Sequence, residues 1–434
     1  MKEKIALFVL LGLLVSTAFG QAPSPTYAFT NGRWWDGAGY AARTMYTIDG
    51  QLQSAAPSRV DETIDLRNRY VIPPLAEGHN HWLEATQVDA YNACYLADGV
   101  YYVKDMGNLP FVLDQIRDRV NLPTSVDFTS AGLGFTGPAA HPIEIVDYFV
   151  QAGIFPKDWR PEYDKQAQLV VRTEAEVDER FQFLLRTNPA YVKVFLLFSE
   201  EYAKRLKDPA IQANYRGIDP KLVPGIVKRA HANGLKVAAH VYTTYDYRVA
   251  LDAGVDDIVH LPGIAYDAKL GLDHYVLTAA DAVKTRERGV RVTTTIYGVA
   301  MLAQEDPKNA ALVRNQIIVP NLRTLKENGV TLLLGSDQFR YSPLNELFVL
   351  RDLGVFTNTQ LLNMATIVTT SAVFPGRKLG RLEPGYEANF LVLDADPAAD
   401  LNNLRSIQLR VKQGYRLSLP TAALSRNGLA CIAE

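Results

Sequence analysis

The sequence predicts an α/β fold: a (β/α)8 TIM barrel inserted into a small β-sandwich formed by the N- and C-terminal segments. Three observations predict it. Eight apolar, strand-like runs alternate with helical patterns through the middle of the chain. Short alternating segments with turn glycines stand at both ends. Histidines, one lysine and one aspartate recur within or at the C-terminal ends of the strand-like runs. Strand–helix alternation repeated this often implies parallel strands closed into a barrel.

The N-terminus reads "MKEKIALFVLLGLLVSTAFGQA". Lys2 and Lys4 precede an apolar stretch, and Ala18-Phe19-Gly20 offers a cleavage site. That pattern is a secretory signal peptide over residues 1–20, and the apolar stretch is short for a spanning helix. No cysteine lies beside the cleavage site to carry a lipid. The expectation is a periplasmic or secreted protein with no stable membrane anchor after cleavage. Residues 21–73 contain "YAFTNGRWW", "RTMYTIDGQL" and "ETIDL", and residues 375–419 contain "GRLEPGYEANFLVLDA" and "IQLRVKQGYRL". Both are β-rich, and together they are expected to build the composite sandwich. Residues 74–374 form the barrel, and 420–434 a C-terminal tail.

Within the barrel the strand-like runs are "YVIPPLA", "VYYVKDM", "SVDFTSAGLG", "YVKVFLLF", "LKVAAHVY", "DDIVHL", "RVTTTIY" and "VTLLLGSD". Helical patterns such as "FVLDQIRDRV", "EAEVDERFQFLLR", "PKLVPGIVKRAHANG" and "VPNLRTLKENG" lie between them. Gly234 and Gly329 each stand just before a strand, where helix-ending glycines belong. Long segments follow strands three, four and seven: "FPKDWRPEYDKQAQ", "SEEYAKRLKDPAIQANYRG" and "GVAMLAQEDPKNAALVRNQ". All leave the face where barrel enzymes place their sites, so they are expected to serve as lids or substrate walls.

Composition narrows the function. The 434 residues are 48% hydrophobic and 21% charged, ordinary for a globular protein. The net charge of -2 and the lack of any long Lys or Arg run argue against nucleic acid as a partner. Removing Lys2, Lys4 and Glu3 with the leader would leave about -3. A small-molecule or short-peptide substrate is the expected partner, and a homo-oligomer stays open. Cys94 and Cys431 are too few for a disulfide framework. Two free thiols are expected, with a single bridge pinning the tail as the alternative.

"GHNHW" at 78–82 places His79 and His81 two apart, on one face of an extended strand. Two converging imidazoles suit a metal ion. Lys193 lies inside strand four, His240 ends strand five, His260 ends strand six and Asp337 ends strand eight. Each alone has an ordinary role, such as a hydrogen-bonded core histidine or an N-cap aspartate. Lys193 is harder to explain so, because a buried unpaired ammonium is costly and must find a partner or lose its charge. In a closed barrel these strand ends converge, and six such residues at one end point to a metal site. Mixed imidazole and carboxylate ligation with open positions suits catalytic zinc, with manganese, cobalt or iron as alternatives.

"VIPPLAEGHNH", "GVYYVKDMGN", "AAH", "VDDIVH", "LLLGSD" and "KLGRLEPGYEANFLVLDADP" together resemble the amidohydrolase superfamily, in its imidazolonepropionase-like and prolidase-like subgroup. The resemblance runs from about Tyr27 to about Leu417. Pro74 stands where the family has Gly, and Glu77 where it has Asp, and neither is a proposed ligand. The resemblance implies two divalent metal ions. His79, His81 and Asp337 would hold one, His240 and His260 the other, and Lys193 as N6-carboxylysine would bridge them. A metal-bridging hydroxide would then attack the substrate carbonyl, with Asp337 passing its proton to the leaving amine. Tyr242, two residues past His240 on the same strand face, could donate a hydrogen bond to the carbonyl oxygen or simply pack. His141, in "GPAAHP" after strand three, matches a substrate-contacting histidine of the family. His231 and His274 read as solvated or structural.

These residues favour hydrolysis of an amide or peptide bond, of a dipeptide or an N-acyl amino acid. A deaminase of the superfamily would carry a Glu shortly after the strand-five histidine, and "HVYTTYD" has none. A phosphotriesterase or lactonase could use the same centre. A non-catalytic binding protein would have lost ligands that are all present here. Among 22 tyrosines, Tyr202, Tyr215, Tyr245, Tyr247, Tyr297 and Tyr341 fall in or near the long segments, so an aromatic-lined pocket is expected.

Overall fold

The computed structural model describes residues 24–155, 168–424 and 430–432, apart from the side chains of 302–304. The expected signal peptide, residues 1–20, and most of the segment after strand three therefore lie outside the described residues. No helix among the described residues is long and apolar enough to cross a membrane.

Both chain ends contribute to one β unit. Tyr27–Trp35 pairs antiparallel with Tyr40–Ile48 and parallel with Glu62–Asp65 and Tyr70–Ile72. Tyr70–Ile72 then pairs antiparallel with Phe390–Leu393, which joins the N-terminal strands to Ile407–Lys412 and Tyr415–Arg416. The hydrogen bonds run through one eight-stranded sheet, and an isolated bridge from Gln51 to Glu387 brings its far strand back beside the C-terminal segment. Inside this turn of sheet, the Phe390 ring meets Phe29 at 4.9 Å and Trp34 at 5.2 Å.

The barrel strands are Leu75–Asn80, Val100–Asp105, Asp127–Ser130 with Gly134–Thr136, Val192–Phe195, Val237–His240, Asp257–Val259, Arg291–Thr293 and Leu332–Leu333, here called strands one to eight. All neighbouring pairs are parallel. Strand three is interrupted at Ala131–Leu133. Its first half pairs with strand two and its second half with strand four. Gly78 N donates to Leu334 O at 2.8 Å and Asp337 N to His79 O at 2.8 Å, closing strand eight onto strand one. At Gly78 an added Cβ would lie 2.6 Å from Leu334 O, so this closure needs glycine.

Two expectations are corrected. "YVIPPLA" is not one strand. Tyr70–Ile72 belongs to the terminal sheet, and strand one begins at Leu75 and carries His79 within it. Pro73 and Pro74 have no N–H to give a ladder, so pairing breaks between them. Cys94 and Cys431 are not free thiols but a disulfide spanning 337 residues of sequence. The tail returns over the loop after strand eight, where Cys431 N donates to Arg340 O at 2.6 Å. That brings Cys431 against the helix Val88–Ala97, which carries Cys94. Nothing local to either cysteine signals this long-range return.

The β unit is tied to the barrel by charge as well as by apolar packing. Asp127, buried at the start of strand three, meets Lys412 Nζ at 2.6 Å and Arg377 Nη1 at 2.7 Å. Both cations come from the C-terminal segment.

Candidate active site

The barrel closure brings five of the six predicted ligands into direct contact and the sixth beside them. Asp337 Oδ1 lies 3.3 Å from His79 Nε2 and 3.4 Å from His81 Nε2, and its Oδ2 lies 3.9 Å from His260 Nε2. His260 Nε2 is in turn 3.0 Å from His240 Nδ1. His79, His260 and Asp337 offer ligand atoms that all lie within 4.8 Å of one another. His260 therefore sits as much with the His79–Asp337 group as with His240. Lys193 lines the same cavity from strand four, with Nζ 5.3 Å from the centre of the Phe195 ring. His260 and Asp337 have φ of 77° and 51°, a left-handed backbone that costs energy outside glycine and gathers at functional sites.

Contacts behind the site aim these side chains. Glu77 accepts from His79 N at 2.9 Å and from Ser336 N and Oγ at 2.9 and 2.5 Å, stitching strand one to the loop that bears Asp337. His81 Nδ1 faces Gly107 O at 2.7 Å, and His260 Nδ1 faces Thr295 Oγ1 at 2.7 Å. Each contact occupies one ring nitrogen and leaves Nε2 turned to the centre, as outer partners of metal-binding histidines do. Asp105, at the end of strand two, holds Trp82 N and the Asn108 amide, both at 3.0 Å, and so fixes the loops around His81.

The electrostatics fit cation binding. Burial pushes His79 down to about 3 and holds His240 and His260 well below the usual imidazole range, so all three are neutral at pH 7. Burial opposes ionisation of Asp337 too, yet the His79 and His81 imidazoles, 3.3 and 3.4 Å away, hold it well below the usual carboxylate range. Burial lowers Lys193 to about 7, so much of it is a neutral amine. Among the described residues, both ring nitrogens of His79, His240 Nε2 and Lys193 Nζ are buried without a hydrogen-bond partner. The 3.3 Å approach of neutral His79 to Asp337 thus lacks hydrogen-bond geometry. Buried lone pairs left this way are costly, and neutral imidazoles beside a carboxylate suit divalent cations. The donor set fits a metal centre.

Above it opens a cavity of about 340 Å³. His141 and Tyr242 line it, as expected, with their rings 5.0 and 4.7 Å from that of His240. Burial and then the Glu144 charge push the Tyr242 hydroxyl up, so it stays a donor. His231 and His274 lie away from the cavity, facing Asp256 and Glu200. None of the six tyrosines expected around the pocket lines it. Tyr247, for example, is buried on its helix with its hydroxyl 2.8 Å from Thr285 Oγ1. The walls are instead Leu83, Leu109, Phe155, Phe195 and Phe339. Sequence reasoning also missed Glu144 and Asn214. Glu144 stands one helical turn after His141, a spacing that could have marked it.

Known proteins share this architecture. A Xaa-Pro dipeptidase structure with bound methionine superposes with a TM-score of 0.70 at 20% identity, covering 90% of this chain and 99% of that one. Ochratoxinase from A. niger gives 0.69 at 17% identity, with 91% and 96% covered. Phenylurea hydrolase B gives 0.68 at 20% identity, with 94% and 100% covered. At these identities the likeness shows the fold. The model of the amidohydrolase family matches residues 205–415, a stretch that holds His240, His260 and Asp337. The match spans just under half of the chain and supports membership of the amidohydrolase superfamily. This amidohydrolase is accordingly a hydrolase acting on C–N bonds, in a family that generally uses a binuclear metal centre. No curated protein matches its sequence.

Proposed function

We propose that this amidohydrolase holds two divalent metal ions, with zinc the expected metal, through His79, His81, His240, His260 and Asp337. Lys193, as N6-carboxylysine, would bridge them. We propose further that it is exported and cleaves the amide bond of a dipeptide or an N-acyl amino acid. The observation that carries this reading is the buried, partnerless Lys193 Nζ beside four imidazoles and a carboxylate. As a neutral amine, Lys193 can attack CO2, forming an N–C bond and releasing a proton. That exchanges a costly buried cation for an anionic two-oxygen ligand.

When bound, the ions would polarise the scissile carbonyl and lower the pKa of water from about 15.7 toward roughly 7. Asp337 can take a proton at one carboxylate oxygen and deliver it to the departing nitrogen. The Tyr242 hydroxyl can donate to the carbonyl oxygen, where negative charge develops in the transition state. His141 borders the cavity and can contact the substrate directly. Leu83, Leu109 and Phe339 keep bulk water from the reacting bond and strengthen these polar contacts. The dipeptidase name among the fold neighbours agrees with amide cleavage.

The test is a hydrolysis screen of dipeptides and N-acyl amino acids with metal-loaded enzyme, beside lactone and phosphotriester controls. Release of a free amino acid is expected. Activity confined to lactones or phosphotriesters would replace the reading with a lactonase or phosphotriesterase, and ammonia release alone would replace it with a deaminase. Export is checked by mass spectrometry of protein from the native envelope fraction. A chain starting near Gln21 is expected, and an intact Met1 terminus would contradict it.

A further inference from the structure

One stretch of the cavity wall carries a carboxylate that the reaction above does not use. Strand three runs out through Thr136 to His141, whose backbone is pinned on both sides. Its N donates to Arg216 O at 3.1 Å, and its O accepts from Thr136 Oγ1 at 2.6 Å. The helix Ile143–Gln151 begins two residues later and places Glu144 in its first turn. Glu144 Oε1 takes a hydrogen bond from His141 Nδ1. A carboxylate accepts and does not donate, so His141 carries its proton on Nδ1 and its free nitrogen is Nε2. The second oxygen, Glu144 Oε2, is buried and has no hydrogen-bond partner among the described residues. Glu144, Ile145 and Val146 all border the cavity. His141 holds the Glu144 carboxyl below its ordinary range even against burial, so the group is anionic.

A buried carboxylate oxygen without a donor is costly, and a ligand that supplies one gains what the free protein forgoes. A neutral N–H would satisfy the hydrogen bond. An ammonium would satisfy the hydrogen bond and the charge together, and charge-assisted bonds are about twice as strong. We propose that Glu144 is a specificity residue whose free Oε2 receives the α-ammonium of the substrate's acyl residue, so that the site selects dipeptides over N-acyl amino acids. The proposal rests on the amide-hydrolase reading and narrows it. Through Oε1 the same carboxylate also orients His141, so the Glu144→Gln change is expected to weaken every substrate somewhat. What it should change selectively is the discrimination between free and blocked amino termini.

The experiment uses the metal-loaded full chain, wild type and Glu144→Gln, with a panel of dipeptides each paired with its own N-acetyl form. In the wild type, kcat/KM is expected to favour the free dipeptide at least tenfold. In Glu144→Gln that ratio should collapse toward one, with the loss carried by KM of the free dipeptides. A wild type that does not prefer free amino termini overturns the proposal, whatever the variant does. A variant that slows both forms while keeping the wild-type ratio also overturns it, and leaves Glu144 as the residue that positions His141. If neither form is cleaved, the amide-hydrolase reading has failed by itself, and calorimetric binding of the same pairs decides this one. Tenfold tighter binding of the free dipeptide to the wild type, lost in Glu144→Gln, supports it, and equal binding of both forms overturns it.

Discussion

His240 Nδ1 lies 3.0 Å from His260 Nε2, at the ends of adjacent parallel strands five and six. Both imidazoles are neutral because burial holds them well below the usual range. One can donate to the other, yet His240 Nε2 stays buried and unpartnered whichever way the proton sits. The barrel has thus gathered lone pairs that it does not satisfy itself. Lys193 Nζ, also unpartnered, faces the same cavity.

Lys193 gives a sharp substitution test. Lys193→Ala removes the proposed anionic bridge, and four histidines and one aspartate leave the centre short of negative charge. At least one metal should be lost, and activity should fall by well over the tenfold that each 1.4 kcal/mol of barrier represents. Lys193→Arg should be no milder, because a guanidinium stays cationic and is not carboxylated. Formate or acetate should partly restore Lys193→Ala, and added bicarbonate should improve metal loading of the wild type. Full metal content and full activity in Lys193→Ala would make Lys193 a structural residue.

Asp127 tests the join between barrel and β unit. Asp127→Ala takes its carboxylate partner from the buried Lys412 ammonium at the base of strand three and leaves the Arg377 guanidinium with Glu387. Losing one member of a buried charge cluster costs roughly 3–5 kcal/mol. Urea denaturation should show a loss of that size, and a loss below about 1 kcal/mol would mean that water replaces the carboxylate.

The Cys94–Cys431 disulfide should be present in exported protein and absent after reduction. Cys431→Ser is expected to lower stability by roughly 2–4 kcal/mol, from the looser unfolded chain and the released tail. Thiol labelling of the unfolded wild type without reductant should find no free cysteine. Two reactive thiols would contradict the bridge.

Much of this was legible before any coordinates, because the signals were periodic or chemically costly. Alternating apolar runs pointed to the barrel, and ionisable residues within or at the C-terminal ends of those runs pointed to the His79, His81, Lys193, His240, His260 and Asp337 set. Neighbour-dependent features were hidden. The strand break at Pro73-Pro74 sat inside one apolar run. The Cys94–Cys431 pairing depends on how the tail returns 337 residues later. The tyrosines were counted as pocket residues because they lie in long segments, but where a helical side chain points depends on its helix's rotation. Glu144 escaped notice because one carboxylate in a helical turn is ordinary until its second oxygen is seen to be partnerless.

Glu346 carries a pH prediction. Burial raises its carboxyl from an ordinary 4.5 to about 8, although Thr294 Oγ1, Ile296 N and Tyr297 N all donate to it. The folded state therefore holds this proton more tightly than the unfolded one. The stabilisation is fully present below about pH 4.5 and is lost as pH rises toward about 8. Glu346→Gln cannot titrate, so urea midpoints measured at about pH 5 and about pH 8 should differ less in the variant than in the wild type. Parallel pH dependence in the two proteins would show that Glu346 does not carry this shift.

The most direct measurement is the metal content of the purified mature protein, grown with ample zinc and read by elemental analysis against protein concentration. The proposed centre predicts close to two divalent ions per chain, with His79→Ala and His240→Ala each lowering that content. A wild-type chain that holds no stoichiometric metal would contradict it.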